Sequence, residues 1–134
     1  MSPVKYFLDT HILVWWFEAS EKLNRKQRQI LDEYERHKPF GVSDVTLAEL
    51  GCLVAAGRLQ LSRDLKDWLS RAMAEPLVKL HRITPAVVAE ISSLPVNFPK
   101  DPADRMIVAT ARLENATLLT CDQRIIDSGA VPTC

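Results

Sequence analysis

Charge of either sign is not in surplus in this sequence. Its 17 basic and 17 acidic side chains leave the 134 residues formally neutral with the three histidines uncharged. That disfavours a protein holding nucleic acid by bulk positive potential. Contact with an RNA or DNA backbone would need another source of positive charge. Cysteine is scarce as well: Cys52, Cys121 and Cys134 are odd in number and show no paired metal-ligand spacing. Neither a disulfide framework nor a cysteine zinc site is expected, and a reducing cytoplasm is the natural location. Long apolar runs are missing too. The longest, Ile12 to Phe17, falls far short of the roughly 20 residues a membrane span requires. Met1-Ser2-Pro3 leads into a short apolar stretch without a basic n-region or a long h-region, so no secretory leader is expected. Glycine and proline are scattered singly, and no repeat or low-complexity linker is visible. The expectation is one domain over residues 1–134.

What is present is an ordinary globular balance, with 47% apolar and 25% charged residues. Val4 to Leu8 reads as a short buried strand stopped by Asp9-Thr10, and an apolar helix follows from about His11 to Glu18. A charged helix is expected over Glu21 to His37, ended by Pro39, with Phe40 to Ser43 as the second strand. Ser43 or Asp44 caps a helix over Val45 to Ala56, terminated by Gly57. Ser62-Arg63-Asp64 caps another helix reaching about Ala74 before Pro76. Leu77 to Ile83 is the third strand, and Thr84-Pro85 starts a helix ending near Leu94-Pro95. Asp101-Pro102 opens a helix to about Asn115, Ala116 to Thr120 forms the fourth strand, and a short C-terminal segment offers a fifth. Strands alternating with helices imply an α/β fold, a three-layer α/β/α sandwich around a mostly parallel sheet of four or five strands. Such sheets place their chemistry at the carboxyl ends of the strands.

That rule selects four acids. Asp9 follows the first strand, Asp122 follows the fourth, Asp104 lies in the first turn of the helix feeding the fourth, and Glu49 sits mid-helix among Val45, Leu47, Ala48, Leu50, Leu53 and Val54. Each has a plainer role. Asp9 suits a helix cap, Asp101-Pro102-Ala103-Asp104 suits a capping box, and Asp122 suits a turn. Glu49 is harder to dismiss, because an acid in so apolar a helix must be paired, protonated, metal-bound or on a narrow exposed face. If the four converge, their repulsion raises some of their pKa values unless a cation sits among them. An all-oxygen cluster suits Mg²⁺ or Mn²⁺ rather than zinc. Such an ion would bring to a neutral protein the charge that phosphate chemistry needs.

Four segments in order carry a family resemblance: Phe7-Leu8-Asp9-Thr10-His11, Val42-Ser43 through Glu49-Leu50, Asp101-Pro102-Ala103-Asp104-Arg105-Met106-Ile107-Val108-Ala109, and Leu119-Thr120-Cys121-Asp122. Over nearly its whole length the chain resembles a PIN domain, and within that group the VapC ribonuclease toxins of bacterial toxin–antitoxin pairs. The resemblance implies a Mg²⁺-dependent endoribonuclease cutting RNA by attack of an activated water, with no protein nucleophile. By this likeness Asp9, Glu49, Asp104 and Asp122 match the acidic metal-binding positions, Asp101 an additional acid, and Thr10 and Thr120 hydroxyls that orient ligands. It also implies a VapB-like antitoxin and toxin homodimers.

Two features lie beside the acids. Ile12 to Phe17 is apolar all round, so Trp15 and Trp16 are candidates for a partner groove as well as for the core. Arg105 is equally suited to touching a substrate phosphate or pairing with an acid. Lys22, Arg25, Lys26, Arg28, Arg36 and Lys38 read as a solvated face because acids intersperse them. Two rival functions share the fold class. A phosphoacceptor signalling domain needs adjacent acids after the first strand and a Lys after the last, and a haloacid-type phosphatase needs Asp where His11 stands. A non-catalytic interaction module, with the acids serving only as caps, is the remaining alternative.

Overall fold

The computed structural model describes residues 4–134. Met1, Ser2 and Pro3, from which the absence of a leader is inferred, lie outside the described residues. The elements run β1 (Tyr6–Leu8), α1 (Thr10–Phe17), α2 (Arg25–Asp32), α3 (Tyr34–His37), β2 (Phe40–Ser43), α4 (Asp44–Ala55), α5 (Leu65–Ala72), β3 (Val78–His81), α6 (Pro85–Ile91), α7 (Pro102–Leu113), β4 (Thr117–Leu119) and α8 (Gln123–Ser128). All pairings are parallel, in the order β3-β2-β1-β4. The chain therefore steps outward from β1 to β2 to β3 and returns to the other flank of β1 for β4. Strand order reverses at the β1–β4 boundary, where an open α/β sheet leaves a crevice.

Strand alternation builds the three layers. On β1, Leu8 enters one buried cluster with Ile12, Leu13, Leu31, Phe40, Leu50 and Trp68. Its neighbour Phe7 enters the other, with Phe98, Ile107, Val108, Leu118 and Ile125. Leu118 and Leu119 divide in the same way on β4. Helices α1, α2 and α5 thus cover one face while α7 and α8 cover the other, with α6 packed on α7.

β1 and β2 meet at Phe7 opposite Gly41. A Cβ on Gly41 would stand 2.7 Å from Phe7 Cε1 and 3.0 Å from Val4 Cγ1. Phe7 is fully buried, so its ring has nowhere to go. Gly41→Ala is therefore expected to destabilise the fold by about 2–3 kcal/mol, read as a lower urea midpoint at unchanged slope.

Local differences from expectation have local causes. The charged helix begins at Arg25, not Glu21, because Asn24 and Gln27 form a reciprocal capping box. It breaks at Glu33, whose backbone (φ −89°, ψ 35°) leaves the helical basin and separates α2 from α3. The fifth strand reduces to a single parallel bridge between Leu118 and Thr133. Ser43, not Asp44, caps α4, accepting from the Val45 N–H. Helix α8 was not anticipated: Asp122 caps it and Gly129 ends it in the left-handed region.

At the far end of α1, the Glu18 carboxylate accepts from Ser62 N, Ser62 Oγ and Trp68 Nε1 at 2.9, 2.8 and 3.0 Å. This clasp ties α1 to the segment leading into α5. Burial alone would raise the pKa of Glu18, but the donors from Ser62 and Trp68, with Arg63 nearby, outweigh it and hold it below the usual carboxylate value. Glu18→Ala is expected to lose about 1–2 kcal/mol at neutral pH. A depressed folded pKa gives stability that is present above the ordinary value of 4.5 and fades as pH falls through the folded one. The gap between wild type and variant in urea unfolding should accordingly narrow at acid pH.

Candidate active site

The crevice at the strand-order reversal is lined by Asp9, His11, Trp15, Glu49, Asp101, Asp104, Cys121, Asp122 and Arg124, with a volume of about 420 Å³. Every acid singled out from the sequence is present. Asp9, Glu49 and Asp122 each arrive on a different element, and Asp101 and Asp104 arrive together at the start of α7.

Asp9 ends β1 and caps α1. Thr10 N donates to its Oδ1 at 2.8 Å, and Thr120 Oγ1 donates to its Oδ2 at 2.7 Å. Both carboxylate oxygens are thereby aimed, and the side chain is nearly sealed, with the residue 6% exposed. Burial pushes its pKa up against the pull of the Thr120 and Thr10 hydrogen bonds. Thr120 does double duty, because its hydroxyl also accepts from Asp122 N at 3.0 Å. One side chain therefore sets the carboxyl ends of both β1 and β4. Asp122 in turn caps α8, accepting from Arg124 N at 2.9 Å.

Glu49 lies in the second turn of α4 and reaches toward α1. Thr10 Oγ1 donates to its Oε1 at 2.6 Å. With its one hydrogen committed to Glu49, Thr10 Oγ1 accepts from Thr46 Oγ1, 2.9 Å away. Thr46 was not foreseen, although its place one turn before Glu49 on the same helix was the available signal. Asp101 caps α7, its Oδ1 accepting from Ala103 N and Asp104 N at 2.8 and 3.2 Å. It therefore serves as a cap and also lines the crevice. Asp104, in the first turn of α7, has a side chain only 14% exposed.

The cluster is electrostatically overloaded. Burial first, then repulsion from Asp101, Asp9, Asp122 and Glu49, raises Asp104 from 3.8 to about 7. Cys121 also borders the crevice, with its thiol pushed up by burial and by Asp9. A thiol in that field is a poor nucleophile.

Two expected residues go elsewhere. Arg105 does not line the crevice: its Nε donates to Pro99 O and its Nη2 to Phe98 O, at 2.9 and 3.1 Å, so the guanidinium holds the loop before α7. Trp16 packs edge-on against Phe40 and tilts against Phe17, on the core side of α1. Trp15 instead borders the acids, beside His11. Both tryptophans pack against the core cluster on this side of the sheet, and of the two Trp15 also lines the crevice. Arg124, like Thr46, is a residue that sequence reasoning missed. It stands two positions after Asp122, but without α8 nothing indicated that it would turn back toward the acids.

The donors fit a hard divalent cation in kind. They are carboxylates, several with an oxygen already fixed by a hydroxyl or backbone N–H, and the height of Asp104's pKa marks a group short of positive charge. Among the described residues, no three of them stand close enough to enclose an ion as placed. Arg124 Nη2 lies 3.4 Å from Asp122 Oδ2 and 3.9 Å from Asp104 Oδ2.

The model of the PIN domain family matches residues 6–130. A curated relative, ribonuclease VapC22 of Mycobacterium tuberculosis (strain ATCC 25618 / H37Rv), is 35% identical over 118 residues, covering 88% of this chain and 87% of the relative. Among solved structures, a chain of VapBC2 from Rickettsia felis, bound to a promoter DNA fragment, aligns with TM-score 0.68 at 18% identity over 96% of each chain. A chain of FitAcB from Neisseria gonorrhoeae aligns with TM-score 0.66 at 20% identity, over 96% of this chain and 95% of the other. The likeness to these structures is one of fold.

Proposed function

The chain belongs to the PIN domain family, and on that premise we propose that it is a metal-dependent endoribonuclease, the toxin of a toxin–antitoxin pair. The observation that carries this reading is the crevice itself. Asp9, Glu49, Asp104 and Asp122 come from four separate elements to one lip of the sheet, where Asp104 is left with a pKa of about 7. Caps alone would not need to meet. The phosphoacceptor alternative lacks its lysine, because the cation beside Asp122 is Arg124.

In this reading Asp9, Asp104, Asp122 and Glu49 would hold Mg²⁺ or Mn²⁺. When bound, such an ion would lend positive charge to a phosphodiester and lower the pKa of a water beside it. The rest belongs to the chain. Thr120 and Thr10 N–H keep both Asp9 oxygens in place, so binding does not have to freeze that side chain. Thr10 fixes Oε1 of Glu49, leaving Oε2 as the oxygen available to the ion. Trp15 forms an apolar wall of the crevice, on which a nucleobase can stack. The neutral net charge then ceases to be a difficulty, since an ion held by these residues would supply positive charge where the substrate is cut.

The substrate is RNA, the partner a VapB-like antitoxin, and the working form a homodimer in the cytoplasm. The named ribonuclease relative supports the substrate, and the VapBC neighbour supports the partner. Among the described residues, no helix is long and apolar enough to cross a membrane.

Glu49→Gln tests the assignment. Its carbonyl oxygen still accepts from Thr10, so the variant should fold with an unchanged circular dichroism spectrum. Cleavage of total RNA in Mg²⁺ should drop by about 10²-fold. Wild-type cleavage by the variant would remove Glu49 from the chemistry.

A further inference from the structure

Arg124 is placed where a nuclease of this kind has no evident need for it. Among the described residues, five carboxylates border the crevice, those of Asp9, Glu49, Asp101, Asp104 and Asp122, and Arg124 is the one Lys or Arg side chain lining it. Its Nη2 lies between Asp122 Oδ2 and Asp104 Oδ2, at 3.4 and 3.9 Å. These belong to two of the carboxylates that the proposed function gives to a divalent ion. The burial is lopsided. The Asp104 and Asp122 side chains are 14% and 26% exposed, whereas that of Arg124 is 70% exposed. A guanidinium anchored in this way holds its acids loosely and can retreat into water at small cost. Its backbone N–H also caps onto Asp122 Oδ1, so the arm stays tethered beside the site wherever its tip goes.

Resting on the cation-site reading above, the geometry points to Arg124 as an internal competitor of the divalent ion: its guanidinium bridges Asp104 and Asp122 when the site carries no ion and withdraws as the ion enters. Two positive groups cannot share those oxygens, and the ion carries twice the charge into a less exposed position. The consequence is a threshold. Asp104 and Asp122 are partly neutralised at low divalent concentration, and the site loads only when the ion outcompetes the tethered arm. Arg124 acts through the ligands and is a positioning residue.

The test is calorimetric titration of Mn²⁺ into the purified protein near neutral pH, for wild type, Arg124→Gln, Arg124→Lys and Asp9→Asn. Arg124→Gln should bind Mn²⁺ about three- to tenfold more tightly, the range of a modest coupling between sites. Arg124→Lys keeps the charge on a flexible arm and should stay within about twofold of wild type. A second readout separates competition from a structural role. In EDTA the Gln variant should melt below wild type, and added Mn²⁺ should raise its melting temperature by more. Equal or weaker Mn²⁺ binding by Arg124→Gln, with wild-type binding intact and lost in Asp9→Asn, would overturn the competitor role and leave the nuclease site standing. No Mn²⁺ binding by wild type would overturn both.

Discussion

Asp9→Asn is expected to leave a folded protein that hydrolyses RNA about a thousandfold more slowly. A loss of that size corresponds to roughly 4 kcal/mol of barrier, within what charge stabilisation around a metal ion supplies. Folding should survive because burial already opposes the charge on Asp9. A neutral amide of the same shape escapes that penalty and can still accept from Thr10 N or exchange a hydrogen bond with Thr120. Expression in bacteria gives a second readout: wild type should arrest growth and Asp9→Asn should not. Undiminished cleavage by the variant, with a native melting curve, would place the chemistry elsewhere on the molecule.

The second large effect is a change in how stability follows pH. Asp104 is raised from 3.8 to about 7, by burial and then by its acidic neighbours. A carboxyl with a raised folded pKa binds more protons folded than unfolded across that interval. Without divalent ions, stability should therefore fall as pH climbs from about 4 to about 7, and should level off above it. The drop should be on the order of 2 kcal/mol, well below the full linkage because the repulsion is shared among several acids. Saturating Mg²⁺ should cancel the slope, because a cation favours the ionised form. Urea midpoints at pH 5 and pH 8, each with EDTA and with Mg²⁺, measure all four corners. A pH profile indifferent to Mg²⁺ would remove Asp104 from the ligand set.

The legible part of this protein followed from its two periodicities. Leu8 and Phe7 on β1, or Leu118 and Leu119 on β4, are short apolar pairs that only a sheet covered on both faces can bury. The polar residue ending each such strand was therefore a marker for the crevice, and Asp9 and Asp122 were legible for that reason. Glu49 was legible through its conflict with the apolar helix around it, a conflict that Thr10 resolves from 39 residues away. Side chains that turn on local backbone events were not legible. Arg124 needed α8, and α8 needed Asp122 to be read as a cap rather than a turn. Arg105 could not be placed because its partners are carbonyls of Phe98 and Pro99, groups present at every residue and hence silent in a sequence.

The hydrogen bond from Thr120 to Asp9 joins positions 111 residues apart. On a ribosome, the fragment preceding β4 holds Asp9, Glu49 and Asp104 but has neither the hydroxyl that aims the first nor the carboxylate of Asp122. Its β1 also has an unpaired flank where β4 belongs. The crevice is thus assembled only when β4 docks beside β1, because that pairing brings both the Thr120 hydroxyl and Asp122 to Asp9.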